Sequence, residues 1–210
     1  MNYLFCILTA YLIGTVNPSY ILAKIQGFDI REKGSGNAGA SNALMLLGKA
    51  KGVLCALFDI AKAVFAIWLC GKLFPALRWG FALSGVFCTL GHIFPFYMKF
   101  RGGKGLACLG GMILSFDIRV FLIMLTGELV IALASNYICF VPMTAAVVFP
   151  AVYGVMRHDP IGALILCILI PVVLYKHKEN IVRIKNGKEM RLSFLWNKEK
   201  ELARLDISEE

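Results

Sequence analysis

Charge of either sign is scarce in this sequence: 17% of its 210 residues are charged, against 59% hydrophobic, and the mean hydropathy is +0.72. A soluble domain of that length needs a more polar surface, so the composition argues against an ordinary globular protein and for a polytopic membrane protein. Ordered cysteine spacing is absent too. Cys6, Cys55, Cys70, Cys88, Cys108, Cys139 and Cys167 are an odd number, scattered, with no C-x-x-C pair. They read as small buried hydrophobes, which leaves a disulfide framework or a metal site without support. The opening MNYLFCILTAYLIG has neither a basic n-region nor a clear cleavage site, so a retained first helix is expected. No lipidation motif, internal repeat or polar second domain is visible. The net charge of +9 therefore points to membrane-surface loops or anionic substrates, and no nucleic-acid partner is expected.

What the chain does have is apolar length. A helix needs about 20 apolar residues to cross the hydrocarbon. Segments 3–23, 53–74, 79–98 and 138–156 meet that need, and 161–175 is a shorter final span. Segment 106–134 is overlong and is cut by Asp117 and Arg119. Two helices meeting at FDIR give seven spans, with the N-terminus outside and the C-terminal tail inside. Seventeen Lys and Arg residues then lie inside, Lys62 is in mid-span, and only Lys72, Arg78, Arg119 and Arg157 fall outside. A single helix would put the basic tail outside, against the positive-inside rule. The expected fold is an all-α bundle of about seven transmembrane helices, with LACLGGMILSF unusually short. It forms one membrane domain over 1–190, and a mixed-charge tail over 191–210 forms a surface helix or frays.

That topology gathers three polar segments on the inner face: KGSGNAGASN, KFRGGKG and HKENIVRIKNGKE. In the first, Gly34, Gly36 and Gly39 spell G-x-G-x-x-G. A dinucleotide site would need a strand before it and a βαβ unit around it, and neither fits between two membrane spans. Glycines still let backbone N–H groups turn toward an anion at close range. Ser35, Asn37, Ser41 and Asn42 add short polar groups, and a helix start follows. A tight, capped loop with no ligand is the alternative. The second segment repeats the logic, with Gly102, Gly103 and Gly105 flanked by Arg101 and Lys104; alone, it is equally a basic anchoring loop. In the third, His177 and Asn180 are spaced i and i+3, hence on one face of a helix.

Within the spans, Asp59 and Lys62 are also i and i+3 and can pair, as a functional site or as a structural ion pair whose lysine snorkels. Glu128 stands alone in its span and receives no role. His92, before Pro95, is expected to hydrogen-bond the inner end of its own helix.

Taken in order, DIREKGSGNAGASN, DIAK, GHIFPFYMKFRGGKG and HKENIVRIKNGKE make the chain resemble the bacterial acyl-phosphate:glycerol-3-phosphate acyltransferases over nearly all its length. The resemblance implies seven spans and three cytoplasmic motifs. It also implies transfer of a fatty acyl group from acyl phosphate to the 1-hydroxyl of glycerol 3-phosphate, giving lysophosphatidate. Acyl phosphate is already activated, so neither a nucleophilic serine nor a metal is demanded, and no cofactor is expected. Ser35, Lys104, His177 and Asn180 become the catalytic candidates. Gly36, Asn37, Gly39, Ser41, Asn42, Arg101, Gly102, Gly103 and Gly105 become the substrate-binding ones. The hydroxyl proton goes to a substrate phosphate, or to His177 as general base. The implied setting is a bacterial inner membrane with a cytoplasmic active site, in reach of the acyl-phosphate-forming enzyme. The chain departs from the family pattern in having Met45 where an Arg is usual, and Asn136, Cys139 and Pro142 in place of an Arg and two Ser. Two other readings stay open: a paralogue acylating another phosphorylated alcohol, and a small-anion transporter.

Overall fold

Helix boundaries fall where the sequence supplies caps and breakers. A computed structural model describes residues 1–205, apart from the side chains of Lys198 and Leu202, and no strand occurs among the described residues. Helices α1 (Asn2–Thr15) and α2 (Pro18–Ile25) make one membrane-length stretch, interrupted at Asn17. The Asn17 carboxamide oxygen accepts the Tyr20 N–H at 2.8 Å, and Pro18 takes the first helical position, where it loses no hydrogen bond. A loop leads to the short α3 (Ala40–Leu46). Gly48, at φ +90°, then turns the chain into α4 (Lys49–Leu73), followed by α5 (Gly80–Ile93).

Asp117 settles the overlong segment. Its backbone is extended, and its carboxylate accepts the N–H groups of Arg119 at 2.7 Å and Val120 at 3.3 Å. One residue thus ends α6 (Leu106–Phe116) and caps α7 (Ile118–Ser135). After α8 (Phe140–Arg157) come α9 (Pro160–Leu166), α10 (Leu169–Lys185) and α11 (Lys198–Leu205). Among the described residues, six stretches are long and apolar enough to cross a membrane, and the eleven-residue α6 joins them as a shorter seventh. The final span differs from the expected segment 161–175. It breaks between α9 and α10, where Pro171, which has no N–H to donate back, sits in the first turn of the new helix. It then continues to Lys185, so His177 and Asn180 share one buried face of a helix.

Close helix contact comes from small residues, as expected where no hydrophobic effect drives helices together. A side chain on Gly14 would strike the Cys88 carbonyl, and one on Gly91 would strike that of Tyr11, so α1 and α5 meet backbone to backbone. Phe81, Phe116, Phe149 and Tyr153 fill the bundle centre. Leu4, Leu8 and Leu12 on α1 and Ile123, Leu125 and Leu129 on α7 point outward, a costly surface in water and a fitting one in hydrocarbon. Glu128 is buried between α7 and α8, where the Thr144 hydroxyl donates to its carboxylate at 2.6 Å. The tail forms α11 as far as Leu205; residues 206–210 of the expected tail lie outside the described residues.

Candidate active site

The first glycine loop is built by its own polar residues. Asn42 is fully buried, and its carboxamide is spent inside the loop: Oδ1 accepts the Ser35 N–H at 2.9 Å, while Nδ2 donates to the carbonyls of Ile30 at 2.9 Å and Lys33 at 3.1 Å. Gly34 and Gly36 stand in the left-handed region (φ +59° and +71°), which bends Ser35, Gly36 and Asn37 outward. Upstream, Asp29 receives the Arg31 guanidinium at 2.7 and 2.9 Å. The hydrogen bond from Arg31 holds the Asp29 carboxyl well below the usual carboxylate range, although partial burial acts the other way. The remaining Arg31 nitrogen donates to the Met98 carbonyl at 2.6 Å, fastening this loop to the next one.

The second loop has a different construction. The N–H of Gly102 donates to the Ile93 carbonyl at 3.0 Å and that of Gly103 to the His92 carbonyl at 3.1 Å. These two amides are therefore committed to the end of α5 and do not form an anion cradle. Both glycines are needed for fit: a Cβ on Gly102 would meet the His92 carbonyl and the Pro95 ring, and one on Gly103 the His92 imidazole. The left-handed backbone of this loop falls on Lys99 and Phe100 instead, and Gly105 (φ +90°) leads into α6.

The seating of Gly103 places Lys104 at the junction with α10. The Lys104 ammonium donates to Asn180 Oδ1. Asn180 Nδ2 donates to Glu189 at 2.5 Å, and Arg183 Nε reaches the other Glu189 oxygen at 2.6 Å. Asn180 thus aims the lysine, and Glu189 aims Asn180. Burial, aided by the neighbouring Arg183 charge, lowers the Lys104 pKa to about 8, against a weaker opposing pull from Glu189. His177, almost fully buried, points Nδ1 at the Val173 carbonyl 2.8 Å away; a carbonyl only accepts, so that nitrogen carries a proton.

The three segments enclose a polar cleft of about 210 Å³. Ser35, Gly36 and Asn37 form one wall and Arg101, Gly102 and Lys104 another, with α10 closing the third side through Lys176, Lys178 and Glu179. Four cations facing one carboxylate make a receptor for a phosphate-bearing molecule. Among the other predicted residues, Gly39, Ser41, Asn42, Gly103 and Gly105 stand outside the lining, as do His177 and Asn180.

Comparison with known proteins identifies the family. The sequence model for glycerol-3-phosphate acyltransferase matches residues 4–187. The chain belongs to that family. It is 34% identical over 193 residues to the glycerol-3-phosphate acyltransferase of Bordetella pertussis, covering 89% of this chain and 90% of that one. With the Aquifex aeolicus enzyme of the same name it shares 34% over 192 residues, 91% of this chain and 100% of the relative. Two solved structures of PlsY (YgiH), an integral membrane glycerol 3-phosphate acyltransferase, are also similar. The glycerol 3-phosphate form has a TM-score of 0.82 at 31% identity, covering 93% of this chain and 98% of that one. The lysophosphatidic acid form has a TM-score of 0.78 at 30% identity, covering 91% and 95%.

Within this member of the acyltransferase family, several residues go beyond their sequence reading. Glu189 and Arg183 were in the third motif, but their part in the Lys104 chain leaves no periodic signal, because Glu189 lies past the end of α10. Asp59 and Lys62 do pair, at 2.6 Å. Lys62 does not snorkel: its side chain is 4% exposed. His92 also departs from expectation. Its imidazole meets Lys62 at 3.0 Å and Asp59 at 3.3 Å rather than the end of its own helix. Asn136, one of the family departures, ends α7 in the left-handed region and binds the tail, accepting the N–H groups of Leu192 (2.7 Å, carbonyl) and Ser193 (3.0 Å, Oδ1).

Proposed function

We propose that this chain transfers a fatty acyl group from acyl phosphate to the 1-hydroxyl of glycerol 3-phosphate, releasing inorganic phosphate and lysophosphatidate. The observation that carries this reading is the cleft itself, where two glycine loops and the end of α10 bring Arg101, Lys104, Lys176 and Lys178 around a space of about 210 Å³. Both substrates carry phosphate, and both phosphates need cations that remain fixed as charge moves from the acyl carbon to the leaving group. Lys104, aimed by Asn180, is the cation best placed to follow that charge. Because the acyl phosphate already has a good leaving group, the hydroxyl needs only orientation and a proton acceptor.

A substrate phosphate oxygen takes that proton. The location of His177 supports this choice, since it is buried behind the cleft lining and bonded to its own helix. The Ser35 hydroxyl and the Asn37 carboxamide hold a phosphate from the opposite wall, with Gly36 shaping the turn between them. The reaction face is cytoplasmic, as the seventeen inner cations imply under the positive-inside rule, and the membrane is the bacterial inner membrane. The acyl phosphate then arrives from the enzyme that forms it on the same side.

Purified protein in detergent, given acyl phosphate and glycerol 3-phosphate, should yield lysophosphatidate and inorganic phosphate in equal amounts. Replacing glycerol 3-phosphate with other phosphorylated alcohols checks the acceptor. No acylated product with any of them would overturn the reading.

A further inference from the structure

Asp59, Lys62 and His92 lie inside the bundle, outside the cleft lining, and acyl transfer makes no direct use of them. All three are at least nine-tenths buried, at 1%, 5% and 3% exposure. Ionisable groups in a span are expensive, and replacing a buried ion pair with apolar residues of similar volume is often neutral or stabilising. Stability alone therefore gives a weak reason for this cluster. Its connections give a better one.

The Lys62 ammonium has three partners around it: it donates to the Val16 carbonyl at 2.6 Å, and it lies 2.6 Å from Asp59 Oδ1 and 3.0 Å from His92 Nδ1, which is itself 3.3 Å from Asp59 Oδ1. The Asp59 contact is an ion pair by distance, without a well-aligned hydrogen bond. On one side, Val16 lies at the break between α1 and α2. The next residue, fully buried Asn17, donates to the Ala38 carbonyl of the first glycine loop at 2.8 Å. On the other side, the His92 carbonyl holds the Gly103 N–H and its ring lies against Gly103, one residue before Lys104. One ammonium therefore connects with both walls of the cleft. Cys108 joins Asp59 and His92 in a group with metal-ligand spacing, but Lys62 already supplies positive charge to that carboxylate and that imidazole.

We infer that Asp59, Lys62 and His92 are positioning residues, a buried strut that sets the distance between the loop bearing Ser35–Asn37 and the loop bearing Lys104. This rests on the phosphate-binding reading above, since loop spacing matters only if an anion is held between the two walls.

The test compares wild type, Asn17→Ala and the charge-neutral double variant Asp59→Asn/Lys62→Met, all purified in detergent. Lysophosphatidate formation and, separately, calorimetric titration with inorganic phosphate are measured on folded, monodisperse samples. In the double variant, KM for glycerol 3-phosphate should rise about tenfold while kcat falls less than about threefold. Asn17→Ala should raise KM about threefold, in line with one lost hydrogen bond. Phosphate affinity should fall in parallel. Adding Asn17→Ala to the double variant should change little more, because the contacts act in series. Unchanged KM and phosphate affinity in Asn17→Ala would overturn the strut, even if the double variant failed to fold. A lower melting temperature with unchanged KM and affinity would make the cluster merely structural. If wild type formed no lysophosphatidate, the functional proposal would fall, while phosphate titration would still decide the strut.

Discussion

The two glycine loops look alike in sequence and work by different physics. In the first, Gly34 and Gly36 are required for their backbone angles, and the loop is shaped from within by Asn42. In the second, Gly102 and Gly103 have no left-handed backbone. They are required for size, because the end of α5 occupies the space that side chains would take. Their amides are committed to the carbonyls of Ile93 and His92, so phosphate contact on that wall falls to Arg101 and Lys104. A glycine-rich stretch can thus turn the chain so that short polar side chains reach a cleft, or bring a helix end close enough to aim a lysine; in the first loop, too, the Ser35 and Gly36 amides are spent, on Asn42 and the Lys33 carbonyl. The pattern of letters does not distinguish the two.

The largest expected effect isolates what the second loop delivers. Lys104→Ala should lower kcat/KM by about 10²-fold or more, the loss typical of one contact to developing negative charge. A smaller loss would move the principal cation elsewhere on the cleft wall. Next is the pH dependence of the same residue. Its ammonium binds anions and, with a pKa of about 8, loses its proton above that value in the free protein. KM for glycerol 3-phosphate should be flat below pH 8 and rise above it, toward about tenfold per unit. Folding stability has the opposite sign. Between about 8 and the ordinary lysine value the unfolded chain binds more protons than the folded one, so the Lys104 contribution rises with pH. Steady-state kinetics and thermal melts across pH 7–10 check both trends.

The smallest effects compare the loops directly. Gly103→Ala pushes a methyl into the His92 ring and should cost about 1–3 kcal/mol by overpacking, with a rise in KM. Gly36→Ala meets little steric resistance and should cost about 1–2 kcal/mol from its left-handed backbone alone. Melting temperatures of the two variants should rank in that order. The reverse order would mean that backbone angle, rather than close approach, is the stronger demand.

The helices were legible because hydropathy runs and caps are local signals. Asp117, read as the point where two helices meet, is a cap, and the i,i+3 spacing of Asp59 and Lys62 predicted their pairing. What the sequence hid were partners brought from elsewhere. His92 joins that pair from thirty residues away, across a helix interface. The diglycine amides looked available until the end of α5 was seen to accept them. The break before Pro171 was missed because an apolar run through 161–175 gives no sign that the helix will stop and restart within it. Of the predicted site, the lining residues are those on loop crests. Asn42, His177 and Asn180 have the right chemistry but spend polar groups within the protein, which spacing alone does not reveal.

Helix α6 imposes a constraint of length. Its eleven residues rise about 16 Å, roughly half of a hydrocarbon layer about 30 Å thick. Lys104 just before it and Asp117 just after it therefore cannot both reach a bilayer surface of ordinary separation. Either the lipid thins around the protein or one polar end is recessed. Thinning, or recession of the Lys104 end, shortens the path between an anion at Lys104 and the methylene interior. A water-soluble alcohol and a fatty chain in the leaflet can thus meet at one depth, without either crossing far into the other's solvent.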